Sequence, residues 1–316
     1  MTPDIQPPIA FVSRLQGRLA TTWIRALAHE LPGETVLAFD QIQERQCVEI
    51  AVLADPDPDD LLQLPNLRWA QSLWAGVDGI LSEPRLAHLP IVRLIDPTLA
   101  ATMAEAVLAW TLYLHRDIPS YAHSQAKQEW QPLPVIPPRE RKVGIMGLGT
   151  LGQRAAQTLV ANGFRVSGWS TTKKQLASVD CYCGEAGLAE MLSRSDIVVC
   201  LLPHTAQTAG LFDQTRFEVL KNGACLINLG RGSLVVEDAL IAALDSGRLR
   251  HAVLDVFERE PLATGHRFWS HPNITVLPHI CAPTDPLTAS KIVAATIASY
   301  RRDGAVPAAV DRVKGY

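Results

Sequence analysis

The sequence lacks several features that would each mark a particular class of protein. It has no basic excess: 29 Lys and Arg against 32 Asp and Glu leave a net charge of −3, which argues against the footprint of a nucleic-acid binder. It has no long apolar run. The longest candidate, Leu99 to Leu114, is broken by Glu105 and is short for a bilayer span. The start, MTPDIQPPIAFVSR, carries an acid and three prolines where a secretory leader needs a basic start and an apolar stretch. A soluble cytoplasmic protein is the expectation. Cysteines are few: Cys47, Cys181, Cys183, Cys200, Cys225 and Cys281. Several sit in apolar runs such as Val198-Val199-Cys200-Leu201, as reduced buried thiols do. The only close pair, Cys181-Tyr182-Cys183, fits no common zinc knuckle, so no metal is expected. There is no internal repeat of solenoid period and no low-complexity tract.

What is present suits two domains. The chain has 316 residues, of which 47% are hydrophobic, enough for ordinary packed cores. Its organising stretch is Lys142 to Ser170, KVGIMGLGTLGQRAAQTLVANGFRVSGWS. Val143, Ile145 and Met146 form the short apolar run of a buried parallel strand. Gly147-Leu148-Gly149-Thr150-Leu151-Gly152 follows at once. Ala155, Ala156, Leu159 and Val160 then recur at helical spacing, Asn162-Gly163 stops the helix, and Phe164, Val166 and Trp169 begin another strand. A glycine triplet placed in a strand–helix–strand unit points to dinucleotide binding. Gly147 permits the tight turn, Gly149 admits a pyrophosphate to the backbone, and Gly152 lets helix and strand pack closely. The helix N-terminus faces the phosphates.

The end of the second strand decides which dinucleotide. An acidic residue roughly 20 positions on would bind the ribose hydroxyls of NAD. Here the chain reads Trp169-Ser170-Thr171-Thr172-Lys173-Lys174. No carboxylate repels a 2′-phosphate, while hydroxyls and two lysines suit one. NADPH is therefore expected in preference to NADH.

Taken in order, residues 1 to about 98 alternate strands (Ile9–Val12, Thr35–Phe39, Val48–Leu53, Leu67–Trp74, Ile91–Ile95) with a helix marked by Trp23, Leu27 and Leu31. Asp55 to Asp60 reads as a solvated turn with an acidic helix start. Leu73 to Gly79 is a strand end running into small residues and a helix start, a nest able to hold a carboxylate. Thr98 to His115 is a long alanine-rich helix. Arg116 to Arg139 is polar, aromatic and proline-rich, a poor local core and a plausible arm across a partner subunit. Beyond Ser170, strands at Asp196–Leu202, Ala224–Leu229, Val253–Phe257 and Ile274–Leu277 alternate with helices at Leu188–Leu192, Phe217–Leu220 and Val236–Leu244. This predicts a doubly wound parallel sheet. Thr284 to Arg302 reads as a helix returning to the first domain.

Ligands of such sheets bind beyond the carboxyl ends of the strands. Arg231, Glu260 and His279 each follow a predicted strand, so one crevice can receive all three. They suit reduction of a 2-oxo acid, or oxidation of a 2-hydroxy acid in reverse. Arginine holds the carboxylate and polarises the ketone, histidine gives a proton to the developing alkoxide, and a carboxylate orients the ring. Taken singly each has a plain explanation: a surface ion pair, a helix-start charge, a satisfied core histidine. Their shared placement favours catalysis. His204, His251, His266 and His271 lack that placement and are assigned no chemistry. Cys281, two residues from His279, is a candidate for oxidation.

Four motifs, Gly147–Gly152, Leu229-Gly-Arg-Gly-Ser233, Leu254-Asp-Val-Phe-Glu-Arg-Glu-Pro-Leu262 and His271-Pro-Asn-Ile-Thr-Val-Leu-Pro-His279, are similar in order and spacing to those of the D-isomer-specific 2-hydroxyacid dehydrogenases. The resemblance covers most of the chain. It implies a Rossmann cofactor domain, residues 99–282, inserted in a smaller flavodoxin-like α/β substrate domain, residues 1–98 and 283–316. It also implies a homodimer, with a dimerisation helix and arm at about 98–140. The family's catalytic arginine, glutamate and histidine fall on Arg231, Glu260 and His279. Its carboxylate-binding loop falls on Trp74, Ala75, Gly76 and Val77. The cofactor-binding set becomes Gly147, Gly149, Thr150, Leu151 and Gly152, then Ser170, Thr171, Lys173 and Lys174, and at the later strand ends Leu202, Pro203, Leu229, Gly230 and Asp255.

Finer features resemble the glyoxylate/hydroxypyruvate reductase A branch: Trp169-Ser170 with Lys173-Lys174, Trp130-Gln-Pro-Leu-Pro134, and the ending Val310-Asp-Arg-Val-Lys-Gly-Tyr316. That branch prefers NADPH and reduces small 2-oxo acids. Two positions depart from it. The branch often has arginine where Thr171 stands, and the loop commonly has glycine where Trp74 stands, so this indole is expected to narrow the pocket or select an apolar substrate tail. The implied activity is NADPH-dependent reduction of glyoxylate, hydroxypyruvate or a similar acid, with no nucleic-acid or membrane partner. The rivals are an NAD-linked dehydrogenase of a larger acid, disfavoured by the missing carboxylate near Ser170, and a non-catalytic dinucleotide sensor, disfavoured by the intact trio.

Overall fold

The computed structural model describes residues 6–315. The leader reading therefore falls partly, at Met1–Ile5, outside the described residues, as does Tyr316 of the carboxyl-terminal motif. The elements are, in order, β1 (Ile9–Ser13), α1 (Gly17–Glu30), β2 (Val36–Ala38), β3 (Ile50–Ala54), α2 (Pro58–Leu62), β4 (Trp69–Ser72), α3 (Asp78–Leu81), β5 (Ile91–Val92), α4 (Pro97–His115), α5 (Ile118–Ala126), β6 (Lys142–Met146), α6 (Thr150–Ala161), β7 (Arg165–Ser170), β8 (Val179–Cys183), α7 (Gly184–Arg194), β9 (Ile197–Cys200), α8 (Gln214–Val219), β10 (Ala224–Asn228), α9 (Glu237–Asp245), β11 (Leu249–Leu254), β12 (Ile274–Val276) and α10 (Pro286–Asp303). The chain divides into two compact units. One joins the residues up to Thr98 with those from Thr284, and the other is Leu99–Pro283.

In the discontinuous unit a five-stranded parallel sheet runs in the order β2-β1-β3-β4-β5, the flavodoxin-like order. The apolar runs of β1 and β3 are buried on both faces, as a sheet covered by helices demands. One face packs against α1 and α10 through Trp23, Leu27, Val293 and Ile297, and the other against Leu61, Ile80 and Leu86. Arg301 of α10 forks onto both carboxylate oxygens of Glu34 at 3.0 Å each. The tail is docked too: the Val310 amide donates to the Ile91 carbonyl at 2.8 Å, and Arg312 donates to Leu86 and Leu89 carbonyls at 2.6 and 3.0 Å.

In the other unit seven parallel strands run β12-β11-β10-β9-β6-β7-β8. The chain lays β7 and β8 on one side of β6, then returns to the other side with β9. That reversal is the topological switch of a Rossmann sheet. The α4 and α6 side chains Val107, Leu114, Ala155 and Leu159 cover one face, and Leu188, Phe217, Leu240 and their neighbours cover the other.

The polar, proline-rich stretch after His115 opens with α5, which tolerates Pro119 because proline sits in its first turn. Cys181 and Cys183 belong to an edge strand, β8, paired with β7 alone. The apolar run Val253–Phe257 is not one strand: β11 ends at Leu254, and Asp255 to Phe257 lie beyond it. The reason is long-range. The Asp255 carboxylate is captured by distant amides, and Phe257 turns onto Phe268, ring centres 6.3 Å apart. Among the described residues no helix is long and apolar enough to cross a membrane, and no cluster of His, Cys, Asp and Glu could hold a metal ion.

Candidate active site

Because the strands of the seven-stranded sheet are parallel, all its carboxyl ends share one edge. The glycine turn leaves β6 there, beside the switch. Gly147 has φ +103, a conformation that other residues rarely adopt. A Cβ at Gly152 would lie 1.8 Å from the Gly147 carbonyl oxygen, so only glycine lets α6 approach β6 this closely. At Gly149 an added Cβ would meet nothing within 4 Å, so the turn is open where a pyrophosphate should approach. The first residues of α6, Thr150 and Leu151, turn their N-terminal amides to this edge. The glycine cradle fits the phosphates of a dinucleotide. At the end of β7, Ser170 is buried and its hydroxyl donates to the Thr172 carbonyl at 2.7 Å, so it shapes the loop. Thr171, Lys173 and Lys174 are exposed.

The loops after β10, β11 and β12, neighbours in the sheet, bring the three charged residues to the same edge. His279 Nδ1 lies 2.7 Å from Glu260 Oε2, and the Phe257 amide donates to the other glutamate oxygen at 2.9 Å. The glutamate is thus fixed by its own loop and faces the ring. The hydrogen bond to Glu260 holds the His279 pKa above its ordinary value, against the opposing effect of burial. Burial pushes the Glu260 carboxyl up, but hydrogen bonds from His279 and the Phe257 amide outweigh it, and the net direction is down. The positive charge of Arg231 is felt by both groups. His279 itself sits at φ +54, an unusual conformation for a residue with a Cβ.

Asp255 explains how that conformation is held. It is 2% exposed, and its two carboxylate oxygens accept the amides of Ile280 and Cys281 at 2.8 and 3.0 Å. The chain immediately after His279 is thereby pinned to the end of β11. Leu202, Leu229 and Gly230 are buried at the same edge, and Pro203 is half-buried. His204, assigned no chemistry from sequence, places Nδ1 2.8 Å from the Ser233 hydroxyl, linking two neighbouring loops.

The expectation for Cys281 is overturned. It is 7% exposed, and burial, with the Asp255 charge adding to it, pushes its thiol up to about 12. A thiol so poor in thiolate is unreactive.

Trp74, Ala75, Gly76 and Val77 belong to the discontinuous unit. The Trp74 indole turns onto its own core, edge-on to Trp23 with ring centres 5.7 Å apart. Its amide and carbonyl both bond the Ser72 hydroxyl, at 2.9 and 3.1 Å. The ring anchors the loop to α1.

The sequence model of the family described as "D-isomer specific 2-hydroxyacid dehydrogenase, NAD binding domain" matches residues 108–281, more than half of the chain. The chain belongs to the D-isomer-specific 2-hydroxyacid dehydrogenases. It is an oxidoreductase by that membership. Among curated dehydrogenases of this kind, it is 38% identical over 300 residues to glyoxylate/hydroxypyruvate reductase A of Klebsiella pneumoniae (strain 342), covering 93% of this chain and 96% of that one. A D-isomer-specific 2-hydroxyacid dehydrogenase from Xanthobacter autotrophicus Py2, solved with NADPH and MES, is 36% identical. It superposes with a TM-score of 0.93, covering 98% of this chain and 100% of that one. The NADPH-dependent glyoxylate/hydroxypyruvate reductase of Sinorhizobium meliloti, solved with NADP and sulfate, is 37% identical with a TM-score of 0.90, covering 98% and 99%.

Proposed function

We propose that this dehydrogenase reduces small 2-oxo acids, glyoxylate and hydroxypyruvate, to 2-hydroxy acids with NADPH. The observation that carries the reading is the 2.7 Å His279–Glu260 pair, placed at the sheet edge that also bears the glycine cradle and Arg231. The names of the relatives from K. pneumoniae and S. meliloti support the substrate class, and the NADPH and NADP held by the solved relatives support the cofactor.

In this reading the turn Gly147–Gly152 with Thr150 and Leu151 cradles the pyrophosphate, and Thr171, Lys173 and Lys174 receive the 2′-phosphate. Leu202, Pro203, Leu229, Gly230 and Asp255 line the rest of the cofactor's path along the sheet edge. Bound NADPH supplies the hydride. Arg231 grips the substrate carboxylate and polarises the ketone. Trp74, Ala75, Gly76 and Val77 are read as the carboxylate-binding loop of the substrate domain. His279 holds the proton that the developing alkoxide takes. Glu260 keeps the ring aligned and favours its protonated form before transfer. The Leu99–Pro283 unit serves as the cofactor domain and the discontinuous unit as the substrate domain. A second copy of the chain is the proposed partner. Leu112 of the apolar helix α4 is 37% exposed, while Trp130 and Val135 in the arm are 98% and 78% exposed. Six free cysteines suit the reducing cytoplasm.

The test is oxidation of NADPH and NADH, followed by the absorbance of the reduced nicotinamide, with glyoxylate, hydroxypyruvate, pyruvate and phenylpyruvate. Fast turnover with NADPH and the small acids is expected. Binding of NADPH without turnover of any acid would replace the reductase by a sensing protein.

A further inference from the structure

We infer that Asn228 is a positioning residue that holds Arg231 in register for the substrate. The inference rests on the role proposed for Arg231. Asn228 is the last residue of β10 and is 1% exposed. A buried primary amide is costly unless its donors and acceptor are used. Here both ends are used within the loop that carries Arg231. The Gly230 amide donates to Asn228 Oδ1 at 3.2 Å, and Asn228 Nδ2 donates to the Arg231 carbonyl at 2.9 Å. These two groups belong to the peptide units on either side of the Gly230-Arg231 pair. The Arg231 backbone, at φ −142 and ψ 144, is thus spanned by one rigid amide, and its guanidinium Nη1 donates to the Gly230 carbonyl at 2.8 Å.

The residue is itself anchored through its backbone. The Asn228 main-chain carbonyl accepts the Asp255 amide at 3.1 Å, so the residue that sets the Arg231 loop is tied to the residue that pins the chain after His279. The far end of the loop is fixed separately, by the His204–Ser233 contact at 2.8 Å and by the Gly210 amide on the Ser233 carbonyl at 2.9 Å. Removing Asn228 therefore loosens the Gly230–Arg231 stretch, taking away the partner of the Gly230 amide and leaving the Arg231 carbonyl with the longer 3.3 Å bond from the Leu234 amide. No other side chain of this size offers a donor and an acceptor at that separation. Aspartate keeps only the acceptor, and alanine keeps neither. Asn228 touches no reacting atom in this scheme. It acts through Arg231, because a guanidinium displaced by about 1 Å can lower a rate by about a hundredfold.

The experiment uses the full-length enzyme with NADPH and glyoxylate, and oxamate as a non-reacting analogue of the acid. Asn228→Ala is expected to lower kcat/KM for glyoxylate by about 10- to 100-fold and to weaken oxamate by a similar factor, with the NADPH dissociation constant unchanged within about twofold. Should the alanine variant fail to fold, the isosteric Asn228→Asp carries the same expectation. Each variant is then repeated in an Arg231→Ala background at high enzyme concentration. If Asn228 works through Arg231, its effect disappears there. An equal fold-loss in both backgrounds, or a loss confined to NADPH affinity, overturns the inference and leaves the role of Arg231 standing. Undiminished turnover by Arg231→Ala alone overturns that role, and the inference with it.

Discussion

Replacing Glu260 by glutamine tests the acid–base pair with almost no change of shape. The amide retains an oxygen for the Phe257 amide, now 2.9 Å away, but it can no longer offer a negative charge to His279 Nδ1. A hydrogen bond between charged partners contributes about 1.5–3 kcal/mol. The two side chains are 53% and 34% exposed, so solvent screening brings this to about 1–2 kcal/mol, or about 5- to 30-fold in kcat/KM. The sign of the pH effect is fixed. In the native enzyme the hydrogen bond to Glu260 raises the His279 pKa, so the protonated ring required for reduction persists above the ordinary histidine range. It is lost as pH rises through the raised value. In Glu260→Gln the burial of the ring and the charge of Arg231, which both lower its pKa, remain, and of the raising effects the charge of Asp255 stays while the larger ones from Glu260 are lost. The alkaline limb of kcat/KM for glyoxylate moves to lower pH, and the difference between the two enzymes narrows as the solution is acidified. Steady-state rates at saturating NADPH across the pH range measure both effects. A limb that stays in place, or moves upward, would show that His279 is not the titrating acid.

Three further outcomes follow from the geometry. Gly152→Ala places a methyl 1.8 Å from the Gly147 carbonyl oxygen and forces α6 away from β6. NADPH binding by fluorescence titration weakens by at least about tenfold and the melting temperature falls, whereas native values for both would contradict the packing role. Changing Lys173 and Lys174 together to alanine raises KM for NADPH far more than for NADH, each lost charged contact being worth about 1.5–3 kcal/mol. Equal effects on the two cofactors would remove the lysines from the 2′-phosphate site. A thiol reagent under native conditions modifies the exposed Cys183 ahead of Cys281, whose thiol is buried and pushed up to about 12. Mass spectrometry after brief treatment reads the order, and early labelling of Cys281 would falsify the burial argument.

Much of this site was legible in the chain before any coordinates. The glycine triplet, the alternation of apolar runs, and the three charged residues each following a run are local patterns, and local patterns survive in one dimension. Asn228 was not legible: it reads as a polar residue ending a strand, and nothing nearby shows that its two ends bracket Arg231. Asp255 was placed in the cofactor-binding set by the family resemblance, but its clamp on the chain after His279 was hidden, since its partners lie 25 and 26 residues away. Helix α5 was hidden by proline, and strand β8 by its edge position, where burial gives no clear alternation. The Trp74 indole was read from its place in the loop, but its direction is set by Trp23, far away in sequence.

The sequence by itself determined the fold class and the residues that reach the carboxyl edge, because strand period, helix period and glycine turns are properties of neighbouring residues. Only the tertiary structure decided which of those residues meet. The 2.7 Å contact of His279 with Glu260, the left-handed backbone of His279, the clamp from Asp255 and the burial of Cys281 depend on loops from different strands arriving together. Their energies come from contacts made at long range, and those contacts exist only once the parallel sheet has aligned the strand ends.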